Sequence, residues 1–204
     1  NISQNTNNLW LRWAALLHDI GKAPTKKFVE GIGWTFHGHE FLGSKMVKNL
    51  FHRLKLPLGT DMKYVQKLVK LSSRPIALID DGTSDAALRR LLFDSGNDLE
   101  DLFSLCKADI TTKNSSKQNK FKKNFEYVAE KIKEVEEKDQ IRNFQPPISG
   151  EEIMEMFNIK PGRKIGILKE KVKEAILDGE IANDKNEARI FVLKEAENLG
   201  LKLV

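Results

Sequence analysis

Apolar residues recur along this chain at helical spacing, and no segment shows the every-second-residue alternation of a strand. From Leu9 to Ile20 the order LWLRWAALLHDI is apolar on nearly every side, with Arg12 the only charge before Asp19. That pattern predicts a central buried helix, ended by Gly21. After a loop holding Gly31 and Gly33, residues 39 to 54 place Leu42, Met46, Val47, Leu50, Phe51 and Leu54 on one stripe, an amphipathic helix stopped by Pro57. Asp61 caps a helix through Val65, Leu68 and Val69. Thr83 or Ser84 caps one through Leu88, Leu91 and Leu92, and Asp98 one through Leu99, Leu102, Phe103 and Cys106. A long helix then carries Phe125, Val128, Ile132 and Val135, and Pro146-Pro147 breaks it. Ser149-Gly150-Glu151-Glu152 reads as a capping box that opens a tail. Pro161-Gly162 fronts a helix with Ile165, Leu168, Val172 and Ile176, and Gly200 closes one with Ala188, Val192, Ala196 and Leu199. The predicted fold class is all-α.

Composition narrows the function classes. The 204 residues hold 34 Lys+Arg against 29 Asp+Glu, a net charge of +5 that excludes a polycationic nucleic-acid condenser. No apolar run is long enough for a transmembrane helix and no signal-peptide order opens the chain, so the expectation is a cytoplasmic protein with no membrane partner. The single Cys106 excludes an internal disulfide and a Cys-based zinc site. The basic excess is local. Residues 113 to 123 carry five lysines and no acid, which equals the net charge of the whole chain. The polar opening Asn1–Asn8, without Met, reads as a cut inside a longer protein.

Candidate chemistry begins with His18-Asp19 at the end of the most apolar helix, where an ionised carboxylate needs a partner, a hydrogen bond or a metal. Asp109 lies at the edge of the stripe Leu99, Leu102, Phe103, Cys106, Ile110, and His39 opens a helix in the cluster Phe36-His37-Gly38-His39-Glu40. Two histidines and two aspartates form an N/O ligand set for a divalent metal such as Mg2+, Mn2+ or Zn2+. Plainer readings stand beside it. His18 and Asp19 cap their helix, Arg89 or Arg90 binds Asp109 as a structural ion pair, His37 and His39 face different ways, His52 is a solvated surface residue, and Cys106 is core.

The ordered motifs resemble a family. Leu16-Leu17-His18-Asp19-Ile20-Gly21-Lys22, then Trp34-Thr35-Phe36-His37-Gly38-His39-Glu40 and Ala108-Asp109, are similar to the HD superfamily of helical metal-dependent phosphohydrolases. With Arg74-Pro75, Ala87-Leu88-Arg89-Arg90-Leu91-Leu92 and Pro147 to Met154, they resemble more closely the carboxy-terminal half of bacterial CCA-adding tRNA nucleotidyltransferases and their poly(A) polymerase relatives, over about residues 9 to 200. The resemblance implies an HD-type helical bundle (1–112), a basic connector with a long helix (113–145) and a small helical tail domain (146–204). It implies metal ligands His18, Asp19, His39 and Asp109, with Lys22 on a substrate phosphate. The site it implies is incomplete, because the motif's first histidine falls upstream of this chain and the histidine expected before the Arg-Pro pair is Ser72.

The same resemblance implies a full-length parent that adds CTP and ATP to tRNA, whose transfer head uses a Gly-Ser loop and an Asp-x-Asp pair. Neither is present: Gly43-Ser44 lies within a predicted helix, and Asp80-Asp81 are neighbours beside Gly82. The role left to this chain is tRNA contact through Arg89, Arg90, Lys113, Lys117, Lys120, Lys122, Lys123, Arg163 and Lys164. Few aromatics accompany these basic residues, which favours backbone contact over base stacking. Two alternatives remain open: an HD phosphohydrolase acting on nucleotides or cyclic phosphates, and a structural or interaction module.

Overall fold

The computed structural model describes residues 6–80, 84–109, 115–139, 141–142 and 144–201. Helix α1 (Leu9–Leu17) begins where Asn8, in extended conformation, turns its side-chain oxygen onto the amides of Trp10 and Leu11. It buries Leu11, Ala14 and Leu17 and leaves Leu9 and Leu16 exposed. A helix expected to be covered all round is thus covered along one i, i+3, i+6 stripe. A short helix α2 (Lys22–Thr25) leads into a two-stranded antiparallel hairpin, β1 (Lys27–Val29) and β2 (Gly33–Thr35), with Phe28 opposite Trp34. The periodicity does not reveal this hairpin because three-residue strands are too short to display alternation. Gly31 and Gly33, at φ +80° and +96°, supply the left-handed conformations that close it.

Around these elements the first compact unit, residues 1–82 with 95–129, packs α3 (His39–Arg53), α4 (Thr60–Leu71), α5 (Arg74–Asp80) and α7 (Leu99–Asp109). Phe51 is fully buried, with the rings of Trp10 and Trp13 at 5.7 and 6.0 Å. The predicted stripe of α3 holds at Val47 and Phe51, but Leu54 lies past the last turn and is exposed, and Lys55 reverses the chain at φ +56° before Pro57 is reached. Gly59, not Asp61, is the N-cap of α4, whose face of Met62, Val65, Leu68, Val69 and Leu71 is buried. Asp98 ends a 3-10 turn (Gly96–Asp98) and its carboxylate takes Lys67.

Helix α8 (Ser115–Asp139) buries the predicted stripe Phe125, Val128, Ile132 and Val135, and the division between the two units falls within it. The second unit joins residues 83–94, most of α6 (Asp85–Ser95), to 130–204. The reasons are specific. Arg89 Nε donates to Asp139 at 2.7 Å, Arg90 pairs with Glu174 and, at 2.8 Å, with Asp178, and Phe93 meets Phe144 edge-on at 5.3 Å. Ser84 caps α6 by accepting from the amide of Ala87; Thr83, the other candidate cap, lies outside the described residues. The tail helices are α9 (Gly150–Phe157), α10 (Arg163–Asp178) and α11 (Lys185–Asn198). The expected capping box at Ser149 is present in both directions, with Glu152 N on Ser149 Oγ and Ser149 N on a Glu152 carboxylate oxygen.

Two stability outcomes follow from these interactions. Ser149→Ala removes the cap and lowers stability by about 1 kcal/mol, read from urea unfolding followed by circular dichroism. The hydrogen bond from Arg90 holds the Glu174 carboxyl below its usual range. A depressed folded value means the pair stabilises above the unfolded carboxylate range and is lost as pH falls through the folded value. Both groups are well exposed, so the effect is on the order of 0.5 kcal/mol. Glu174→Gln therefore differs from the parent chain at neutral pH, and the difference closes in acid.

Candidate functional site

A polar cluster forms where α1 ends, α3 begins and α7 ends. His18 is the C-cap of α1, and its Nδ1 donates to the carbonyl of Ala15 at 2.8 Å. Its Nε2 then faces Asp109 Oδ1 at 3.1 Å and Asp19 Oδ1 at 3.5 Å. His39 repeats the arrangement: Nδ1 donates to the carbonyl of Phe36 at 2.9 Å, and Nε2 faces Asp19 Oδ1 at 3.7 Å. Lys22 Nζ donates to the other Asp19 oxygen at 2.7 Å. Glu40, half-buried, lies 3.3 Å from His39 Nδ1 and accepts from the Ser73 hydroxyl.

Gly21 brings these segments together. A Cβ at this position would lie 2.0 Å from the carbonyl oxygen of His39 and 2.8 Å from the amide nitrogen of Gly43. The Asp19–Lys22 turn therefore rests directly on the backbone of the first turn of α3, and only glycine permits that approach.

Because a carbonyl oxygen only accepts, Nδ1 is the donor in each of these backbone bonds, and Nε2 is the nitrogen turned toward the carboxylate oxygens. A backbone bond on one ring nitrogen fixes the tautomer and the ring plane, which leaves the other nitrogen ready to act as a ligand. The donor chemistry of His18, His39, Asp19 and Asp109 fits a divalent cation. Even so, among the described residues no group of three or more His, Cys, Asp or Glu side chains is gathered closely enough to form a cage. The expected burial of the carboxylates is corrected by the structure: Asp19 and Asp109 side chains are 40% and 43% exposed, and His18 is 19% exposed. Helix α1 stops at Leu17, so residues 18 to 21 lie beyond its buried stripe.

Comparison with known proteins fits this geometry. Residues 2–89 match the family model for the HD domain. The chain carries an HD domain. It is 32% identical over 192 residues to the A-adding tRNA nucleotidyltransferase of Deinococcus radiodurans, covering 93% of this chain and 42% of that protein. It is 28% identical over 183 residues to the CC-adding tRNA nucleotidyltransferase of Thermus thermophilus, covering 89% and 39%. This chain is thus a relative of tRNA nucleotidyltransferases that spans about two fifths of the length of those it matches. No solved structure matches it significantly.

His37 and His52 are exposed and form none of the cluster's contacts, and Cys106 is core. Burial, then the nearby Asp109 charge, pushes the Cys106 thiol up to about 12. Ser72 turns its hydroxyl onto the carbonyl of Val69 within its own helix, so it adds no ligand. The alternative that Arg89 or Arg90 binds Asp109 is overturned: both guanidinium groups sit on Asp139, Glu174 and Asp178, while Asp109 faces His18.

Of the other basic candidates, Lys122 and Lys123 are exposed on α8. Lys113 and the side chains of Lys117 and Lys120 lie outside the described residues. Arg163 is exposed at the start of α10, where Gly162 leaves the first amides without a side-chain cap. Lys164 donates to the carbonyl of Leu199 at 2.9 Å. Two features escaped the sequence reading. Glu40 had its signal in the His-Gly-His-Glu run, and the exposed aromatic hairpin had none beyond its glycines.

Gly21→Ala is expected to cost about 1–3 kcal/mol by forcing the Asp19 turn away from α3; a histidine-detected NMR spectrum checks whether the His39 signals move with it. The buried thiol predicts that Cys106 resists iodoacetamide in the native protein at mildly alkaline pH and reacts once the chain is denatured.

Proposed function

We propose that this chain is the carboxy-terminal, HD-domain part of a tRNA nucleotidyltransferase that adds nucleotides to tRNA 3′ ends. In this reading the chain grips the tRNA, while transfer from CTP or ATP is performed by residues outside it. The observation that carries the reading is the similarity to tRNA nucleotidyltransferases along nine tenths of the chain, extending well past the HD domain into the tail. One relative is named for adding A and the other for adding CC, so the similarity supports the reaction class and not a particular nucleotide. The absence of a Gly-Ser loop followed by an Asp-x-Asp pair agrees with chemistry located elsewhere.

Contact with tRNA is assigned to Lys113, Lys117, Lys120, Lys122 and Lys123 along α8 and its approach, with Arg163 at the start of α10. Arg89 and Arg90 are weaker candidates because carboxylates already hold them. Phosphate contacts of this kind set register and affinity, not sequence. Lys164 contributes charge while it ties α10 to the end of α11.

A second reading rests on the His18–Asp109 cluster: hydrolysis of a phosphate ester. His18, Asp19, His39 and Asp109 would hold a divalent metal, which when bound supplies a polarised phosphoryl oxygen and an acidified water. The protein's own part is orientation. The backbone carbonyls of Ala15 and Phe36 keep both Nε2 atoms turned inward, and Lys22 balances Asp19 and offers its remaining N–H groups to a phosphate oxygen.

The test is tRNA binding by filter retention across a salt series. Replacing Lys122 and Lys123 with Gln is expected to weaken binding uniformly across tRNA sequences and to reduce the salt slope by about one for each phosphate no longer neutralised. Unchanged affinity and slope after neutralising all five lysines from 113 to 123 would remove the connector from the interface. Stoichiometric transition metal in the purified chain, absent from the Asp109→Ala variant, would support the second reading.

A further inference from the structure

The β1–β2 hairpin presents an aromatic surface that nothing in its own unit covers. Phe28, Ile32 and Trp34 are 58%, 74% and 59% exposed, three large apolar side chains within seven residues. Phe28 and Trp34 are cross-strand partners and so stand on one face of the ribbon, their rings 5.2 Å apart and steeply inclined. Exposed apolar residues scattered singly are ordinary, but a cluster of them marks a contact surface.

The charge around the cluster selects the occupant. The Lys26 ammonium lies 4.3 Å above the Trp34 ring. Lys26 and Lys27 are exposed and have no carboxylate partner among the described residues, and Glu30 is the only acid between residues 26 and 35. A π-face flanked by such cations matches a nucleotide, which offers a base to stack and a phosphate to neutralise. An apolar protein partner would leave these ammonium groups desolvated and unpaired. The ribbon is also rooted in the polar cluster at both ends: Lys22, on Asp19, lies just before β1, and His39, facing the same carboxylate, lies just after β2.

We infer that the hairpin is a stacking platform for an unpaired nucleotide of an RNA strand whose backbone runs toward the His18–Asp109 cluster, with Trp34 and Phe28 against the base and Lys26 and Lys27 on its phosphates. This rests on the reading that the chain binds RNA, and it adds a single-strand contact to the backbone grip assigned to α8. Because every base has a π-face, the platform tolerates any sequence. It is closed to bases inside a helix, whose faces are already stacked.

The experiment uses the whole chain and two fluorescein-labelled RNA duplexes without loops, one blunt and one with a short unpaired 3′ overhang. The overhang RNA is expected to bind more tightly than the blunt one. Trp34→Ala should weaken the overhang RNA by about 5- to 100-fold and leave the blunt RNA unchanged. Trp34→Phe should retain most of the affinity while losing the tryptophan quenching that the overhang causes. Trp34 is exposed, so these variants keep the parent circular dichroism spectrum.

Equal affinity for both RNAs, or a Trp34→Ala chain that binds the overhang as the parent does, overturns the platform while the α8 reading stands. No binding of either RNA by the parent chain overturns both. Conversion of a dimer to a monomer by Trp34→Ala, with overhang binding unchanged, overturns the platform in favour of self-association.

Discussion

The HD site depends on one close approach. Gly21 lies against the backbone of His39 and Gly43, and a methyl group there would collide with a carbonyl oxygen that has nowhere to go. That contact is backbone on backbone, so no rotamer change relieves it. It sets the end of α1 over the start of α3, which places Asp19 between His18 and His39. Gly43 repeats the device one turn into α3, where an added Cβ would press on Val69 of α4. Two small residues therefore hold three segments at the separation the polar cluster needs. Phe51, farther along α3, is fully buried with the rings of Trp10 and Trp13 of α1 against it.

Electrostatics arranges the second unit in a different way. Arg89 and Arg90 are adjacent on α6, so their side chains diverge by about a quarter turn and reach different elements. Arg89 reaches the end of α8 at Asp139, and Arg90 reaches the last turns of α10 at Glu174 and Asp178. Gly179, at φ +77°, ends α10, and a side chain there would press on the Arg89 guanidinium at 2.6 Å. Read as RNA ligands, the two arginines look interchangeable. In the structure Arg89 answers to one carboxylate and Arg90 to two, and together they tie α6 to the end of α8 and to α10.

The helices were legible in the sequence because their burial repeats with the helical period. Val47 and Phe51, Leu68 and Val69, and Phe125, Val128, Ile132 and Val135 are all buried where periodicity puts them. The cap at Ser149 was legible because a capping box is local chemistry. What periodicity does not encode is coverage. Leu16 lies in the most apolar run of the chain and is exposed, since a wheel says which residues share a face and not whether another element covers it. The cluster was legible as residue types, but the partner of Asp109 was not. Arg89 and His18 are equally plausible partners in sequence, and only the packing of α1 against α7 decides for His18. The hairpin was invisible because its strands are shorter than any period that could announce them.

The exposure of the cluster bears on why these side chains are gathered at all. Ion pairs between groups as open as Asp19, Asp109 and Lys22 contribute about 0–1 kcal/mol each, and α1, α3 and α7 already hold together through Leu11, Val47 and Leu105 in the core. Folding therefore does not account for two histidines whose Nδ1 protons are pinned to backbone carbonyls so that both Nε2 atoms face carboxylates. The buried side is closed, because Ser72 bonds back to Val69 and the Cys106 thiol donates to the Ser72 carbonyl. Anything that engages the cluster must arrive from solvent. The groups most open to that approach are Asp109, Asp19 and Lys22, at 43%, 40% and 40% exposed, while the His18 and His39 side chains are 19% and 17% exposed.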